Sequence, residues 1–177
     1  YLVTFVESDL SRVGVLDALR DEVIDLAEAT PDLPRNMLDF IARGEAALAG
    51  AKSALDSNLH RLKLAQVQLL APIQRPLRNI ICIGKNYRDH VQELQSSGSA
   101  CSDNTDELPA KPIVFTKATT SVIGPGESIP VWLDATQSAD YEGELAVIIG
   151  KTGRGISQDR AFEYIYGYTI INDVTSR

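Results

Sequence analysis

Two short acidic stretches constrain this chain more than any other feature: Asp140-Tyr141-Glu142-Gly143-Glu144 running into Leu145-Ala146-Val147-Ile148-Ile149-Gly150, and Gly167-Tyr168-Thr169-Ile170-Ile171 running into Asn172-Asp173-Val174-Thr175-Ser176-Arg177. Runs rich in Val and Ile that stop at a glycine or a polar cluster read as strands, the first of them largely buried. Glu142 and Glu144 sit two residues apart at the entrance of the first strand and so point to one face. Two residues of strand span about 6.6 Å, within reach of two flexible glutamates bending onto one point, and Gly143 leaves room between them. Asp173 ends the second strand in the same way.

Three carboxylates converging at strand mouths repel one another unless a cation lies between them. Oxygen-only ligation without Cys or His favours Mg²⁺, Mn²⁺ or Ca²⁺ over zinc, and a three-carboxylate site keeps further positions for water or substrate. The same spacing also suits the solvated face of an ordinary strand.

The chain has 177 residues, 44% of them hydrophobic, enough for one domain of ordinary size with a small appendage. A formal net charge of -7 argues against nucleic acid or an anionic membrane surface as a partner. No apolar run approaches the roughly 20 residues a bilayer requires, and the N-terminus lacks a signal-peptide layout, so a cytoplasmic location is expected. Cys82, in an apolar run, reads as a buried structural thiol, and Cys101 lies in a polar stretch, so no disulfide framework is expected.

In chain order, residues 2–6, 12–16 and 22–26 suggest a small meander, although the second and third could form one helix. Pro34 opens a helix with Met37, Leu38, Phe40 and Ile41 on one face, and a second helix runs from Ala46 to Leu55. His60 falls in a linker-like segment outside every motif. The prolines at 72 and 76 mark a boundary between a small N-terminal α+β domain, residues 1–70, and a main domain, residues 77–177. There a strand over 79–83 turns at Gly84-Lys85-Asn86 into a helix from Tyr87, on which His90 and Glu93 share a face. Such a pair is either a surface ion pair or a base, since a carboxylate fixes the imidazole tautomer and stabilises its charged form. Residues 95–109 are small and polar without periodicity, a candidate lid or a plain insertion. A strand over 111–117 leads to the turn Gly124-Pro125-Gly126, another strand is expected over 129–133, and a short capped helix over 157–164.

Glu142-x-Glu144-Leu-Ala-Val-Ile-Ile-Gly150, Gly167-Tyr-Thr-Ile-x-Asn-Asp173-Val-Thr-Ser-Arg177, Asn86-Tyr-Arg-Asp-His90-Val-x-Glu93 and Phe115-Thr-Lys117-x-x-Thr-Ser-Val-Ile-Gly-Pro-Gly126 together resemble the fumarylacetoacetate hydrolase family, from about Leu70 to Arg177. The resemblance implies an α+β, β-rich fold, a mixed β-sheet roll around the acid site, and a homodimer. It implies Glu142, Glu144 and Asp173 as ligands of Mg²⁺ or Mn²⁺, with Ca²⁺ possible in crystals. His90 and Glu93 become the groups that activate water or move a proton, and Arg177 and Lys117 bind anionic substrate, although Lys117 equally suits a solvated lysine. Ala118 stands where the family usually has proline, and Ile83-Gly84-Lys85 stands where some relatives carry a further acidic ligand. The family domain normally continues past the last motif, so the 177 residues read as an incomplete domain.

The function implied is metal-dependent cleavage of a C–C bond in a 2-oxo or 1,3-diketo acid, such as an acylpyruvate, fumarylpyruvate or oxaloacetate, through an enolate. The alternatives are an isomerase or decarboxylase of a dienoic diacid from aromatic catabolism, or a non-catalytic fragment that binds metal or a partner.

Overall fold

The computed structural model describes residues 1–57, 59–87, 109 and 111–176. The chain divides into two compact units, one formed by Tyr1–Gln74 with Ile123–Ser176 and the other by Arg75–Val122.

The first unit begins with the expected meander. Strands β1 (Leu2–Glu7), β2 (Leu10–Asp17) and β3 (Glu22–Asp25) pair antiparallel, and β4 (Arg61–Lys63) and β5 (Gln68–Leu70) complete a sheet of order β4-β3-β2-β1-β5. Leu10–Asp17 and Glu22–Asp25 are separate strands paired antiparallel rather than one helix, with Val13 and Val15 of β2 sharing the core with Ile24 of β3, which lies opposite Val15. Ser8 and Asp9 join β1 to β2 with φ of 49° and 64°, and both residue types tolerate this left-handed pair, whose twist matches the strands it connects. At Gly14 a side chain has no room: a Cβ there would lie 2.7 Å from Val23 Cγ1 and 2.9 Å from both the Ile24 carbonyl and Phe5 Cε1.

One sheet face is covered by α2 (Met37–Ala42) and α3 (Glu45–Asp56), with the one-turn helix α1 (Leu26–Ala29) between sheet and helices. Helix α2 starts at Met37 rather than at Pro34, because Asn36 supplies the cap by accepting the Asp39 N–H at 2.9 Å. Phe40, Leu26, Ile24, Val13 and Ala47 meet in the core, and the small residues Ala47, Ala51 and Ala54 let α3 lie close against it. Around the rim Arg12 pairs with buried Asp25, and Arg61 with Asp17 and Glu22, at 3.0 and 3.3 Å.

The same unit contains the acidic hairpin, β9 (Gly143–Ile149) against β10 (Ile165–Asn172), and a short ribbon, β8 (Ala139–Asp140) against β11 (Thr175–Ser176). Ile148 and Tyr166 pack onto the N-terminal core. Strand β9 is half-buried instead of largely buried: Ala146 and Ile148 are partly covered, whereas Leu145, Val147 and Ile149 on its other side are exposed among the described residues. Val131–Leu133 is a 3₁₀ turn, not the expected strand, since Pro130 has no N–H for a ladder and its carbonyl accepts from Leu133 N at 3.0 Å. The segment before β10, Gln158–Tyr164, is likewise 3₁₀, and Ser157 makes no side-chain cap there.

The second unit is built on the hairpin β6 (Ile80–Gly84) and β7 (Ile113–Lys117), in register from Ile80 opposite Lys117 to Gly84 opposite Ile113. Cys82 on β6 forms no disulfide among the described residues and is half-buried, not fully buried, because a two-stranded ribbon covers only part of each face. Together the described elements make a strand-rich α+β fold, with several antiparallel sheets and few helices.

Candidate functional site

The acidic hairpin gathers its carboxylates by register. Residues opposite each other in an antiparallel pair project to the same side, and side chains two apart on one strand do so too. Ile171 lies opposite Glu144 and Asn172 opposite Gly143, which puts Asp173 opposite Glu142. Glu142, Glu144 and Asp173 therefore share one side at one end of the hairpin. That side is the covered one: Glu142, Glu144, Ala146 and Ile148 are partly buried, and Asp173 is only 6% exposed. A buried carboxylate requires compensation by hydrogen bonds or a cation, and water could not supply it fully here.

Where the hairpin ends, side chains take over from the ladder. The Asp173 N–H donates to the Glu142 carbonyl at 2.7 Å. The return bond of a regular pair, from the Glu142 N–H to the Asp173 carbonyl, is replaced on both ends. The Glu142 N–H donates to Asn172 Oδ1 at 3.0 Å, and the Asp173 carbonyl accepts from the Thr175 hydroxyl at 3.0 Å. The chain can then leave β10 at Asp173 and pair as β11 with β8, Thr175 opposite Asp140 and Ser176 opposite Ala139.

The loop before β8 is tied to the same place. Asp134 accepts from the Thr136 hydroxyl at 2.6 Å, the Thr136 N–H at 3.1 Å and the Ser138 N–H at 2.7 Å. With a further hydrogen bond from Ser176, these contacts pull its pKa down to about 2, the Thr136 hydroxyl contributing most.

Of the remaining expected site residues only Lys117 is described. Lys117 is half-buried at the end of β7 in the second unit. His90, Glu93 and Arg177, the helix expected from Tyr87, and nearly all of 95–109 lie outside the described residues. His60, with φ of 55°, lines a shallow depression beside Glu7, Arg12 and Asp25 on the N-terminal sheet, apart from the acidic motifs as expected. The sequence reading gave no role to Asn172 and Thr175, which lie inside the second acidic motif, nor to Asp134, which lies shortly before the first.

Whether the acids suit a metal ion can be judged from their chemistry and placement. The donors are carboxylate oxygens alone, the set preferred by hard divalent ions, and the main chain brings all three to one side. Their side chains are not closed into a ring: among the described residues no three His, Cys, Asp or Glu side chains stand in metal-holding geometry. The residues fit a hard divalent ion in donor type and backbone position, with side-chain rotation left to complete the set.

Residues 79–177 match the family model described as fumarylacetoacetate hydrolase, C-terminal. The chain belongs to the fumarylacetoacetate hydrolase family. A mitochondrial oxaloacetate tautomerase of Xenopus laevis is 40% identical over 99% of this chain and 52% of its own length. An oxaloacetate tautomerase of Bacillus subtilis, YisK, is 37% identical over 89% of this chain and 54% of its own length. Among solved structures, a fumarylacetoacetate hydrolase from Exiguobacterium antarcticum superposes with a TM-score of 0.71 at 38% identity, covering 99% of this chain and 56% of that one. Maleylpyruvate hydrolase from Sphingobium, solved with manganese(II) and pyruvate, gives 0.71 at 26% identity, over 99% of this chain and 59% of that one. The fold is thus the α+β, strand-rich fold of fumarylacetoacetate hydrolase family members, and the chain spans about half the length of the curated relatives it matches. Among the described residues no helix is long and apolar enough to cross a membrane.

Proposed function

We propose that this chain carries the acid site of a divalent-metal-dependent enzyme that forms an enolate from a 2-oxo or 1,3-diketo acid of the oxaloacetate or acylpyruvate type. The observation that carries the reading is the register that sets Glu142, Glu144 and Asp173 on one side of the β9–β10 hairpin. These three would hold Mg²⁺ or Mn²⁺, which when bound supplies Lewis acidity toward the keto oxygen of a substrate. The protein groups do the rest. His90, with Glu93 fixing its tautomer, moves a proton to or from the substrate or a water. Lys117 and Arg177 bind the anionic ends that orient the 2-oxo acid.

Tautomerisation requires only that one proton leave the carbon beside the ketone and another reach the keto oxygen, with no bond between carbons broken. Relatives named oxaloacetate tautomerases, at 36–40% identity, make this the first activity to test. C–C hydrolysis adds an activated water, and decarboxylation replaces the departing proton with carbon dioxide; the maleylpyruvate hydrolase likeness favours hydrolysis as the second reading. Residues 77–177 are proposed as the catalytic part, residues 1–70 as its small N-terminal partner, and the working form as a homodimer, which light scattering measures.

The test uses the full-length gene product that contains this chain. Enol-to-keto conversion of oxaloacetate, followed by ultraviolet absorbance, and cleavage of acetylpyruvate are measured with and without Mg²⁺ or Mn²⁺. Metal-dependent turnover abolished by Glu142→Ala is the expected result. Turnover of neither acid, or turnover indifferent to that substitution, overturns the reading.

A further inference from the structure

At the level of Glu142 and Asp173 the hairpin ladder is half made. One main-chain bond remains, Asp173 N–H to Glu142 carbonyl at 2.7 Å, and the Glu142 N–H is held by a side chain thirty positions along the chain, Asn172 Oδ1 at 3.0 Å. We propose that Asn172 is a positioning residue for the acid site: by fixing the Glu142 main chain against the end of β10, it sets the separation of the Glu142 and Asp173 carboxylates. This rests on the proposed metal reading of those two acids.

The geometry gives the amide a task that a strand residue normally lacks. In a continuing ladder Glu142 would be locked on both its N–H and its carbonyl to the partner strand. Here the strand must open, because β11 departs after Asp173 to pair with β8, and Thr175 has taken the Asp173 carbonyl. Without Asn172 the Glu142 N–H loses this tie to the end of β10, and Gly143 beside it offers little resistance to rotation. A carboxylate on a main chain that has lost this tie loses the fixed backbone position from which it would ligate. The exposed side of Asn172 does not weaken the case, since the bond is needed for direction and not for net stability.

Two variants and two readouts test this in the full-length protein. Asn172→Ala removes the acceptor; Asn172→Asp keeps it. Hydrogen exchange of the Glu142 amide, in metal-free protein, is expected to accelerate at least tenfold in Asn172→Ala and to stay near wild type in Asn172→Asp. Mn²⁺ affinity by titration calorimetry is expected to fall 10- to 100-fold in Asn172→Ala, the usual effect of losing a group that orients a ligand. Unchanged exchange, or faster exchange with unchanged Mn²⁺ affinity, overturns the proposal. A wild type that binds no Mn²⁺ overturns the metal reading and the positioning role together, and faster exchange in Asn172→Ala would then leave a purely structural splice.

Discussion

The main-chain N–H of Asp173 donates to the carbonyl of Glu142 across 2.7 Å, so two acids thirty-one positions apart are neighbours through their backbones before any side chain is considered. The rest of the fold supports that contact: Ile148 and Tyr166 anchor the hairpin on the N-terminal core, and β8 and β11 hold its far end.

The anchoring predicts where stability resides. Phe40 is fully buried between α2 and the meander, so Phe40→Ala should cost about 3–5 kcal/mol by lost burial and the cavity it leaves. Gly14→Ala should cost about 1–3 kcal/mol for the opposite reason, overpacking against Val23, Phe5 and the Ile24 carbonyl. Urea unfolding measures both, and a wild-type midpoint in either variant would contradict the packing described.

Asp134 predicts an acid limb. Its pKa is lowered to about 2 in the folded chain from an ordinary 3.8, so it binds a proton less readily folded than unfolded. Its stabilising contribution is therefore present above the unfolded value and lost as pH falls from about 4 through about 2. Melting temperatures taken from pH 5 down to pH 2 should drop less steeply in Asp134→Asn, which should also melt lower than wild type at pH 7. Identical slopes would show that the Thr136, Ser138 and Ser176 contacts do not differ between the states.

His90 and Glu93 predict a separation of chemistry from metal binding. His90→Gln and Glu93→Gln should each lower kcat about 10²- to 10⁴-fold while Mn²⁺ affinity stays within a factor of about three. Loss of metal affinity in either variant would place that residue among the ligands instead.

Much of this was legible in the sequence. The meander announced itself by short apolar runs between polar stretches, the two acidic strands by Val- and Ile-rich runs ending at Gly150 and at Asn172-Asp173, and α3 by its alanines. Three things were not. Residues 129–133 look strand-like in composition, but one missing N–H at Pro130 tips them into a 3₁₀ turn. Strand β9 is apolar on both sides, so its composition does not disclose that Leu145, Val147 and Ile149 stand exposed among the described residues. The bond from Glu142 to Asn172 joins segments thirty residues apart through a side chain, and no periodicity records such a contact.

The central claim is that Glu142, Glu144 and Asp173 serve one ion, and a melting curve with and without Mn²⁺ tests it most directly. A site held at 100 times its dissociation constant stabilises the folded chain by about 2.7 kcal/mol, a rise of about 5–10 °C for a chain of this size. Wild type should show that rise; Asp173→Asn should stay folded without metal and lose most of it, whereas His60→Ala should keep it. A full metal-dependent rise in Asp173→Asn would contradict the account.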